Sequence, residues 1–511
     1  MKQARRNIND FKIISYYTGY IINGTALLMI IPIIVALFLK EFEPLVDFII
    51  SINISLILGI ALKWFGSTKK ENIYVQWKHG LIIAALSWIV LMVLCALPYY
   101  FSGHMISLLD ACFDVMSGFT TTGVFLLQDL DHISVSLNIW RHILTFVGGQ
   151  GMVVLAITFF SNKMQGAYKM YVGEGKDIEL LPNVRQTTRM IWYISLIYLA
   201  IGTFVFWING MLIGLSPMRA LYHGFCIFAA AWSTGGFSPM SQNMLYYHSL
   251  SYEVSTIIFF FIGSLNFGFH YAVWKGNKKE IYRNIEMQTY FISILITTLI
   301  IVVGLTKLNV YPDSVSIFRK GVYMLLSAHS TTGFMSVYAR QFALEWGEFA
   351  LIGMTIAMLV GGCACSTAGG FKALRVGIVF KGFIADIKKS LTTEKRVKVY
   401  KFHHIKDHVL DSDVVKSSAL IIICYMILFL GGILIASFYG YPLIDAAFES
   451  ASITGNVGLS IGITSVSMPT PLKIYYIIAM YLGRLEFLSV FALLGFAIGG
   501  VKKLCTKKLI G

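Results

Sequence analysis

Four short stretches of the sequence combine hydroxyl or amide side chains with small residues, and each ends in a glycine followed by an apolar residue. They occupy positions 117–124 (SGFTTTGV), 233–237 (STGGF), 330–334 (STTGF) and 455–459 (GNVGL). Glycine permits the backbone angles that point carbonyl oxygens towards a shared axis. Carbonyl oxygens arranged in this way replace the water shell of a cation in a selectivity filter. The four stretches therefore predict a cation site made of backbone atoms.

The residues that precede these glycines recur in a fixed register. Aspartate stands thirteen residues before Gly123 and again before Gly458, where it opens the segments DACFD and DAAFE. Serine or alanine stands six residues before each of the four glycines. A register shared by distant segments supports an internal repeat more strongly than the triplet TTG, which often arises by chance.

The composition indicates what kind of element must hold these stretches. Of the 511 residues, 57% are hydrophobic and only 13% are charged, and the mean hydropathy is +0.71. Such a composition excludes an ordinary soluble surface. The apolar runs approach the roughly 20 residues that a helix needs to cross a bilayer, about twice the length of a strand in a membrane barrel. The sequence therefore predicts an all-α integral membrane protein.

We predict four tandem helix/pore-loop/helix repeats around one pore, plus an extra N-terminal helix pair, which gives ten transmembrane helices. The short helices are expected at 108–119, 220–231, 316–328 and 442–452, and the second spans of repeats 2 and 4 near 254–273 and 474–498. The expected segments are the helix pair (1–78), pore repeat 1 (79–165), pore repeat 2 (186–284), pore repeat 3 with an intramembrane gating loop (285–385), a basic cytoplasmic linker (386–412) and pore repeat 4 (413–511). A short helix that enters from outside points its negative C-terminal end at the membrane centre, so four of them favour a cation there. Alternatively, the small residues only let helices pack closely.

The formal net charge of +15 does not indicate a nucleic-acid surface. The basic residues are not gathered in a patch with interleaved aromatic side chains. Most of them lie between the apolar runs, in segments that can all face one side. The positive-inside rule makes that side cytoplasmic and places both termini there. The largest basic segment, 372–416, could contact anionic membrane lipids or receive a cytosolic regulator.

Four carboxylates lie on the expected short helices and leave two interpretations open. They are Asp110, Asp114, Asp445 and Glu449. They could concentrate cations at the outer mouth of a pore. They could equally anchor the short helices through hydrogen bonds to neighbouring backbone.

Ten consecutive small, uncharged residues interrupt the second apolar run of the third unit. They are Gly361, Gly362, Cys363, Ala364, Cys365, Ser366, Thr367, Ala368, Gly369 and Gly370. Non-helical backbone at membrane depth is tolerated only where it is buried in protein or lines an aqueous cavity. We predict a flexible loop beneath the cation site that acts as a gate, with a kinked, closely packed helix as the alternative.

Arg484 stands inside the final apolar run, near the middle of the membrane if the run is helical. A charge at that depth is costly and usually faces a pore or a partner. Glu486, two positions later, points elsewhere on a helix and is a poor local partner. We predict that Arg484 is a pore-facing barrier and an anchor for the loop, with a structural ion pair as the alternative.

The chain offers no sign of enzymatic chemistry. It lacks a P-loop, a nucleotide fingerprint, an HExxH motif and a nucleophile elbow. The seven cysteines show neither a disulfide framework nor zinc spacing. His403 and His404 are adjacent rather than at metal-ligand spacing, and we assign them no role.

These motifs resemble those of the Trk/Ktr/HKT superfamily of potassium transporters, and the likeness covers nearly the whole chain. It is greatest for the TrkH/TrkG branch, which has an added N-terminal helix pair and signatures similar to 361–370 and to LGRLE at 482–486. The resemblance implies that potassium, and plausibly rubidium, is bound by paired carbonyl groups ahead of Gly123, Gly236, Gly333 and Gly458. Those pairs are Thr121 and Thr122, Thr234 and Gly235, Thr331 and Thr332, and Asn456 and Val457.

Further expectations follow from the resemblance. Glycine at all four positions resembles potassium-selective members, whereas sodium-selective plant relatives carry serine in the first filter. Cys365 occupies a position where the family is expected to have glycine. The resemblance implies potassium uptake by a homodimer, with one pore per subunit, in the bacterial cytoplasmic (inner) membrane. A cytosolic TrkA-type nucleotide-binding ring would regulate it, so a nucleotide would act only through that partner.

Two other kinds of transport remain as alternatives. One is a sodium-coupled, Ktr-type cation symporter. The other is an alternating-access transporter of another solute, which would use paired repeats and broken helices near the midplane.

Overall fold

The computed structural model describes residues 2–67, 75–152, 154, 157, 167–173, 184–391 and 399–508. Within these residues, the only strands are Lys401–His404 and Lys406–Val409, which pair antiparallel as a hairpin. Six described helices are long and apolar enough to cross a membrane, or up to eight if each of two bent pairs is one span. The prediction of an all-α membrane protein is confirmed, whereas the total of ten spans stays a prediction.

The N-terminal helix pair consists of Lys2–Leu28, continued as Ile30–Leu39, and of Phe42–Gly66. The carboxylate of Glu41, between the two arms, accepts hydrogen bonds from the backbone N–H groups of Val135 and Ser136, at 2.9 and 3.0 Å. Because these groups open the helix Val135–Gln150, Glu41 caps that helix and joins the pair to the rest of the chain.

The remaining chain contains four units in succession, each with a helix, a short helix and a second helix that is broken in units 2, 3 and 4. Unit 1 comprises Trp77–Phe101, Leu108–Phe119 and Val135–Gln150. Unit 2 comprises Val184–Leu212, Pro217–Trp232 and Leu250–Gly263 with Phe267–Trp274. Unit 3 comprises Ile285–Lys307, the continuous run Ser314–Ser316, Ile317–Val322 and Tyr323–His329, and Gly347–Val360 with Ala373–Ser390. Unit 4 comprises Ser412–Phe438, Leu443–Thr454 and Thr470–Leu485 with Leu488–Lys508.

Within the described parts of the chain, four smaller helical segments connect these elements. They are Ala167–Gly173, Asn243–Tyr247, Glu280–Arg283 and Ala339–Glu345. Parts of the predicted segments lie outside the described residues. These parts are most of 153–166, positions 174–183, the stretch 68–74 of the first basic segment, and 392–398 of the basic linker.

Two expected spans are bent rather than straight, which corrects the sequence interpretation. The expected span 254–273 breaks at 264–266, where its two halves meet at 97°. The expected span 474–498 breaks at Glu486 and Phe487, whose φ angles are 55° and 70°, and its halves meet at 116°. Apolar residues continue on both sides of each break, so hydropathy gave no signal for either.

The short helices lie inside the protein rather than on its surface. In Leu108–Phe119, every residue from Asp110 onward is buried, and in Leu443–Thr454 every residue from Phe448 onward is buried. In both helices, burial thus extends to the C-terminal end. Their C-terminal ends therefore point into the protein interior, where the four glycine-ending stretches begin.

Candidate cation site and the loop beneath it

The four glycine-ending stretches meet in a closed ring. We call them the central turns, defined as residues 120–124, 233–237, 330–334 and 455–459. A Cβ atom added to each turn glycine would collide with a backbone carbonyl oxygen of another turn. The distances are 2.6 Å from Gly123 to Gly235, 2.2 Å from Gly236 to Thr332, 2.0 Å from Gly333 to Val457 and 1.9 Å from Gly458 to Thr122. Each turn thus abuts the next, and the fourth abuts the first.

The same backbone conformation recurs in all four turns. The residue two before the glycine has a positive φ, and so does the glycine itself. These φ values are 55° and 91° for Thr121 and Gly123, 51° and 60° for Thr234 and Gly236, 58° and 81° for Thr331 and Gly333, and 53° and 94° for Asn456 and Gly458. A positive φ is strained for a β-branched residue and costs of the order of 1–3 kcal/mol. Strain of this kind persists only where the surroundings enforce it.

An identical hydrogen bond ties each turn to its own short helix. The amide N–H of the residue before the glycine donates to the carbonyl oxygen five residues earlier, at 2.8 Å in every case. The donor and acceptor pairs are Thr122 and Ser117, Gly235 and Ala230, Thr332 and Ser327, and Val457 and Ser452. The register found in the sequence therefore has a structural basis in this bond.

All twelve residues expected to form the filter lie in the central turns and are buried. The turns contain no charged side chain, so only backbone oxygens, hydroxyl groups, the side-chain amide of Asn456 and the negative ends of the short helices could attract a ligand. A cavity of about 290 Å³ adjoins the ring and is lined in part by Gly123, Gly458 and Asn243. These features suit a monovalent cation that has lost its water.

The carboxylates of the short helices act as anchors. Glu449 accepts hydrogen bonds from the backbone N–H groups of Ile461 and Thr464, at 3.1 and 2.9 Å. Asp114, at the equivalent position of unit 1, accepts one from the N–H of Leu126 at 2.6 Å. Both carboxylates thus hold the chain that follows a central turn back onto the short helix.

The other two carboxylates differ from this pair. Asp110 forms an ion pair with Lys473 of unit 4, at 2.6 Å, and so joins the first unit to the last. Asp445 is half-buried. None of the four carboxylates lines the 290 Å³ cavity. The structure therefore favours anchoring over cation concentration.

Replacing Glu449 with glutamine is expected to destabilise the protein without weakening its response to potassium. A hydrogen bond to a charged group contributes about 1.5–3 kcal/mol, and the amide can retain only part of the network. Thermal unfolding and the potassium concentration for half-maximal flux would be measured together. Asp445→Asn is the matched control on the same helix and should leave the unfolding temperature nearly unchanged. Unchanged unfolding with a raised half-maximal concentration would instead support cation concentration.

The residues 361–370 form a non-helical, buried loop that contacts the central turns. The Thr367 hydroxyl donates to the carbonyl oxygen of Gly263 at 2.8 Å and accepts from the Thr234 hydroxyl at 3.1 Å. The N–H of Gly369 donates to the Thr331 hydroxyl at 2.8 Å. A Cβ added to Gly369 would lie 2.2 Å from the carbonyl oxygen of Gly455.

The hydroxyl of Thr121 also approaches the carbonyl oxygen of Thr367, at 3.4 Å. The loop therefore contacts all four central turns. Helix ends at Val360 and resumes at Ala373, so this segment is a loop rather than a kinked helix.

Small residues allow this loop to fold back on itself. A Cβ added to Gly361, whose φ is 70°, would lie 2.3 Å from the carbonyl oxygen of Gly369. Cys365 has a φ of 49°, a left-handed conformation that glycine adopts far more readily. The backbone therefore explains why glycine is expected at this position.

Arg484 binds backbone carbonyl groups from two separate segments. Its guanidinium donates to the oxygen of Thr367 at 2.5 Å and to those of Gly148 and Gly149 at 3.0 and 2.8 Å. Glu486 instead pairs with Lys372 and Arg375, just beyond the loop. The broken final helix thus holds the loop from both sides of the break.

Two buried charged residues near the site had escaped the sequence interpretation. Glu286 accepts a hydrogen bond from the N–H of Ala364 in the loop, at 2.5 Å. Arg141 is 1% exposed and lies over the ring of Phe237, 4.2 Å from its centroid. Both stand near the ends of apolar runs, where charged residues ordinarily face water or headgroups, so their position gave no signal.

Comparison with known proteins places this architecture among cation transporters. A family model described as TrkH, cation transport protein, matches residues 46–498. An uncharacterized cation transporter of Methanocaldococcus jannaschii is 26% identical over 96% of both chains. The Trk system potassium uptake protein TrkG of Escherichia coli is 27% identical, over 95% of this chain and 98% of that protein. The crystal structure of the potassium transporter TrkH from Vibrio parahaemolyticus has the same fold, with a TM-score of 0.79 and 24% identity over 95% of this chain and 98% of that chain.

Proposed function

Because the chain belongs to the TrkH family of cation transport proteins, we propose that it takes up potassium through the ring of central turns. It is a transport protein of the Trk type and not an enzyme. The proposal depends above all on the closed ring, in which four turns of one conformation present backbone oxygens to one another. Relatives named as potassium uptake proteins over nearly the full length support potassium as the ion.

The filter consists of the three residues at each turn that end in the glycine, and its ligands are backbone carbonyl oxygens. This assignment is supported by the absence of space for a side chain at the four turn glycines. A Cβ at Gly123 would lie 2.6 Å from the carbonyl oxygen of Gly235, so even serine would displace that oxygen. Potassium and rubidium are the cargo, and sodium passes more slowly.

The loop 361–370 is the gate, and Arg484 holds it closed. This step is supported by the contacts of the loop with all four turns and by the hydrogen bond from Arg484 to Thr367. A cation that leaves the ring towards the cytoplasm meets this loop and the guanidinium charge. Transport then requires that the loop move aside.

The rest of the proposal concerns assembly and location. The chain works as a homodimer in the bacterial cytoplasmic membrane, with both termini in the cytoplasm and with bound lipids around it. A cytosolic TrkA-type ring that binds the nucleotide acts on the basic segment after the gate. Support comes from the position of Lys388 and Lys389, at the end of the helix that the loop leads into.

Alternating access to another solute is the second candidate, favoured by one observation. Two helices are broken within the expected spans, as in transporters that bind solutes at the midplane. In this protein, however, the residues beside both breaks bind the gate loop, because the carbonyl oxygen of Ser264 accepts from the N–H of Cys363 and Arg484 donates to the carbonyl oxygen of Thr367. Competition of uptake by rubidium, but not by amino acids or sugars, would separate the two functions.

Purified protein in liposomes is expected to carry potassium and rubidium at similar rates and sodium at least about tenfold more slowly, because glycine stands at all four filter positions, as in the potassium-selective members that the sequence resembles. Flux of each ion would be measured with and without a cytosolic partner ring, which should change the rate but not the order of ions. The same measurement at several sodium concentrations tests sodium coupling. Equal flux of sodium, or none of any ion in the presence of the partner, would contradict the proposal.

A further inference from the structure

The cytosolic hairpin, defined as Lys401–Val409, packs against two helices of unit 3, namely its first helix and the helix that follows the gate loop. Its Phe402 is buried in one apolar cluster with Ile285 and Ile378. Ile285 opens the first helix of unit 3, and Ile378 lies in the helix that follows the loop. The hairpin is therefore seated where the loop returns to the cytoplasmic side.

One buried carboxylate connects this hairpin to the loop. Glu286 is 1% exposed, and its Oε1 accepts from the N–H of Ala364 at 2.5 Å. Its Oε2 lies 3.1 Å from Nε2 of His404 and 3.5 Å from the side-chain nitrogen of Asn266. Asn266 stands at the break of the second helix of unit 2. Glu286 thus joins the hairpin, that break and the loop at a single point.

A buried carboxylate stays buried only while donors surround it. If the hairpin moves outward, His404 leaves and the carboxylate loses one of the donors that stabilise its charge. The charged carboxylate is then more stable if it turns towards water, which supplies new hydrogen-bond donors. Such a turn would withdraw the acceptor that holds Ala364 in place.

We propose that the hairpin controls the gate through the connection from His404 to Glu286 to Ala364, so that displacement of the hairpin releases the loop. His404 and Glu286 are positioning residues in this scheme and do not contact the ion. The inference rests on the proposed role of residues 361–370 as the gate. This connection would give the hairpin a role in gating, although the hairpin does not contact the ion.

His403, next to His404 in the hairpin, offers a control variant for the test of this connection. Nε2 of His403 lies 2.9 Å from Oε1 of Glu280, and its Nδ1 lies 2.6 Å from Asp407. Neither Glu280 nor Asp407 belongs to the loop. His403 therefore also binds a carboxylate of unit 2 from the hairpin, but it lacks the onward contact with the gate.

The test measures how fast native Cys365 of the loop reacts with N-ethylmaleimide in the full-length, reconstituted protein. Cys365 is 4% exposed, so its reaction should be slow in the unaltered protein. Labelling at each cysteine would be followed by mass spectrometry, alongside potassium flux. His404→Phe keeps an aromatic ring without a donor, and it is expected to raise Cys365 labelling and flux about tenfold, the effect of losing one hydrogen bond to a charged group.

Two variants establish what causes the change. His404→Gln restores an N–H donor and should return labelling to within about twofold of the unaltered protein, which mere packing at this position would not produce. His403→Phe removes a contact that anchors the hairpin but leaves the donor to Glu286 in place, so it should raise labelling clearly less than His404→Phe does. Cys95, 1% exposed in the first helix of unit 1, reports general unfolding and should remain unreactive in all variants.

The outcomes separate this inference from the proposed function. Suppose that the unaltered protein carries potassium but that Cys365 labelling is unchanged in His404→Phe. This result would overturn the connection and leave the proposed transport function standing. Faster labelling in a protein that carries no potassium would support the connection and contradict the transport function. If Cys95 also reacts in the His404→Phe variant, that variant is partly unfolded. The labelling of Cys365 is then compared between the unaltered protein and His404→Ala, which adds no bulk. An effect of His403→Phe equal to that of His404→Phe would also contradict the proposal.

Discussion

Replacing Gly458 with valine is expected to abolish potassium uptake while the protein remains in the membrane. The glycine has a φ of 94°, which valine rarely adopts, and a Cβ there would lie 1.9 Å from the carbonyl oxygen of Thr122. The backbone strain costs about 1–3 kcal/mol, and the collision must push the first turn away from the fourth. Growth of a potassium-requiring strain at low potassium measures the effect, with membrane content checked by immunoblot.

Gly440→Ala is the matched control for this prediction. Gly440 precedes the short helix of the same unit and has a φ of 87°, but a Cβ there would meet nothing within 4 Å. It therefore carries similar backbone strain without a collision in the ring, and growth should persist. Gly123→Val should fail as Gly458→Val does. Normal growth of either ring variant would remove the physical basis of the filter.

Replacing Arg484 with methionine is expected to raise potassium flux about tenfold in the absence of any partner. Methionine keeps much of the length but loses the hydrogen bonds to Thr367, Gly148 and Gly149. The bond from the charged donor to Thr367 contributes about 1.5–3 kcal/mol to holding the loop, and the positive charge that repels cations is lost as well. Rubidium uptake into liposomes at equal protein content would measure the change.

Arg484→Lys separates the two causes. Lysine keeps the charge but cannot reach three carbonyl groups with a planar fork, so an intermediate flux is expected. Deletion of residues 361–370 removes the loop itself and should act in the same direction as Arg484→Met. A folded Arg484→Met protein with unchanged flux would show that the residue only supports the structure.

The sequence predicted the central elements because each unit repeats them. The first short helix was expected at 108–119, which is where Leu108–Phe119 lies, and the others differ by a few residues at their ends. The positive φ angle also recurs at the same place in each turn, two residues before the glycine, so the backbone strain repeats with the sequence motif. A local motif that is copied four times leaves a signal that one copy cannot give.

The contacts around the loop could not be predicted, because each joins residues far apart in the chain. A buried charge at Arg484 was visible, yet its partners are backbone oxygens more than 100 residues away. The pairing of Glu486 with Lys372 depends on the break in the final helix, where the sequence EFL carries neither glycine nor proline. His404 was set aside as lacking metal-ligand spacing, a criterion that says nothing about a carboxylate 118 positions earlier.

The direction of contacts around the ring has a consequence for biosynthesis. Every turn glycine lies against a carbonyl group of the turn that follows in the sequence, except Gly458, which lies against the carbonyl group of Thr122 in the first turn. A ribosome adding about 5–20 residues per second needs roughly 20–70 seconds to travel from one of these positions to the other. During that interval the ring of turns lacks its fourth member, so it cannot form a closed path for an ion until the last segment inserts. Premature termination in the final unit would therefore leave a product that is almost full length and wholly silent.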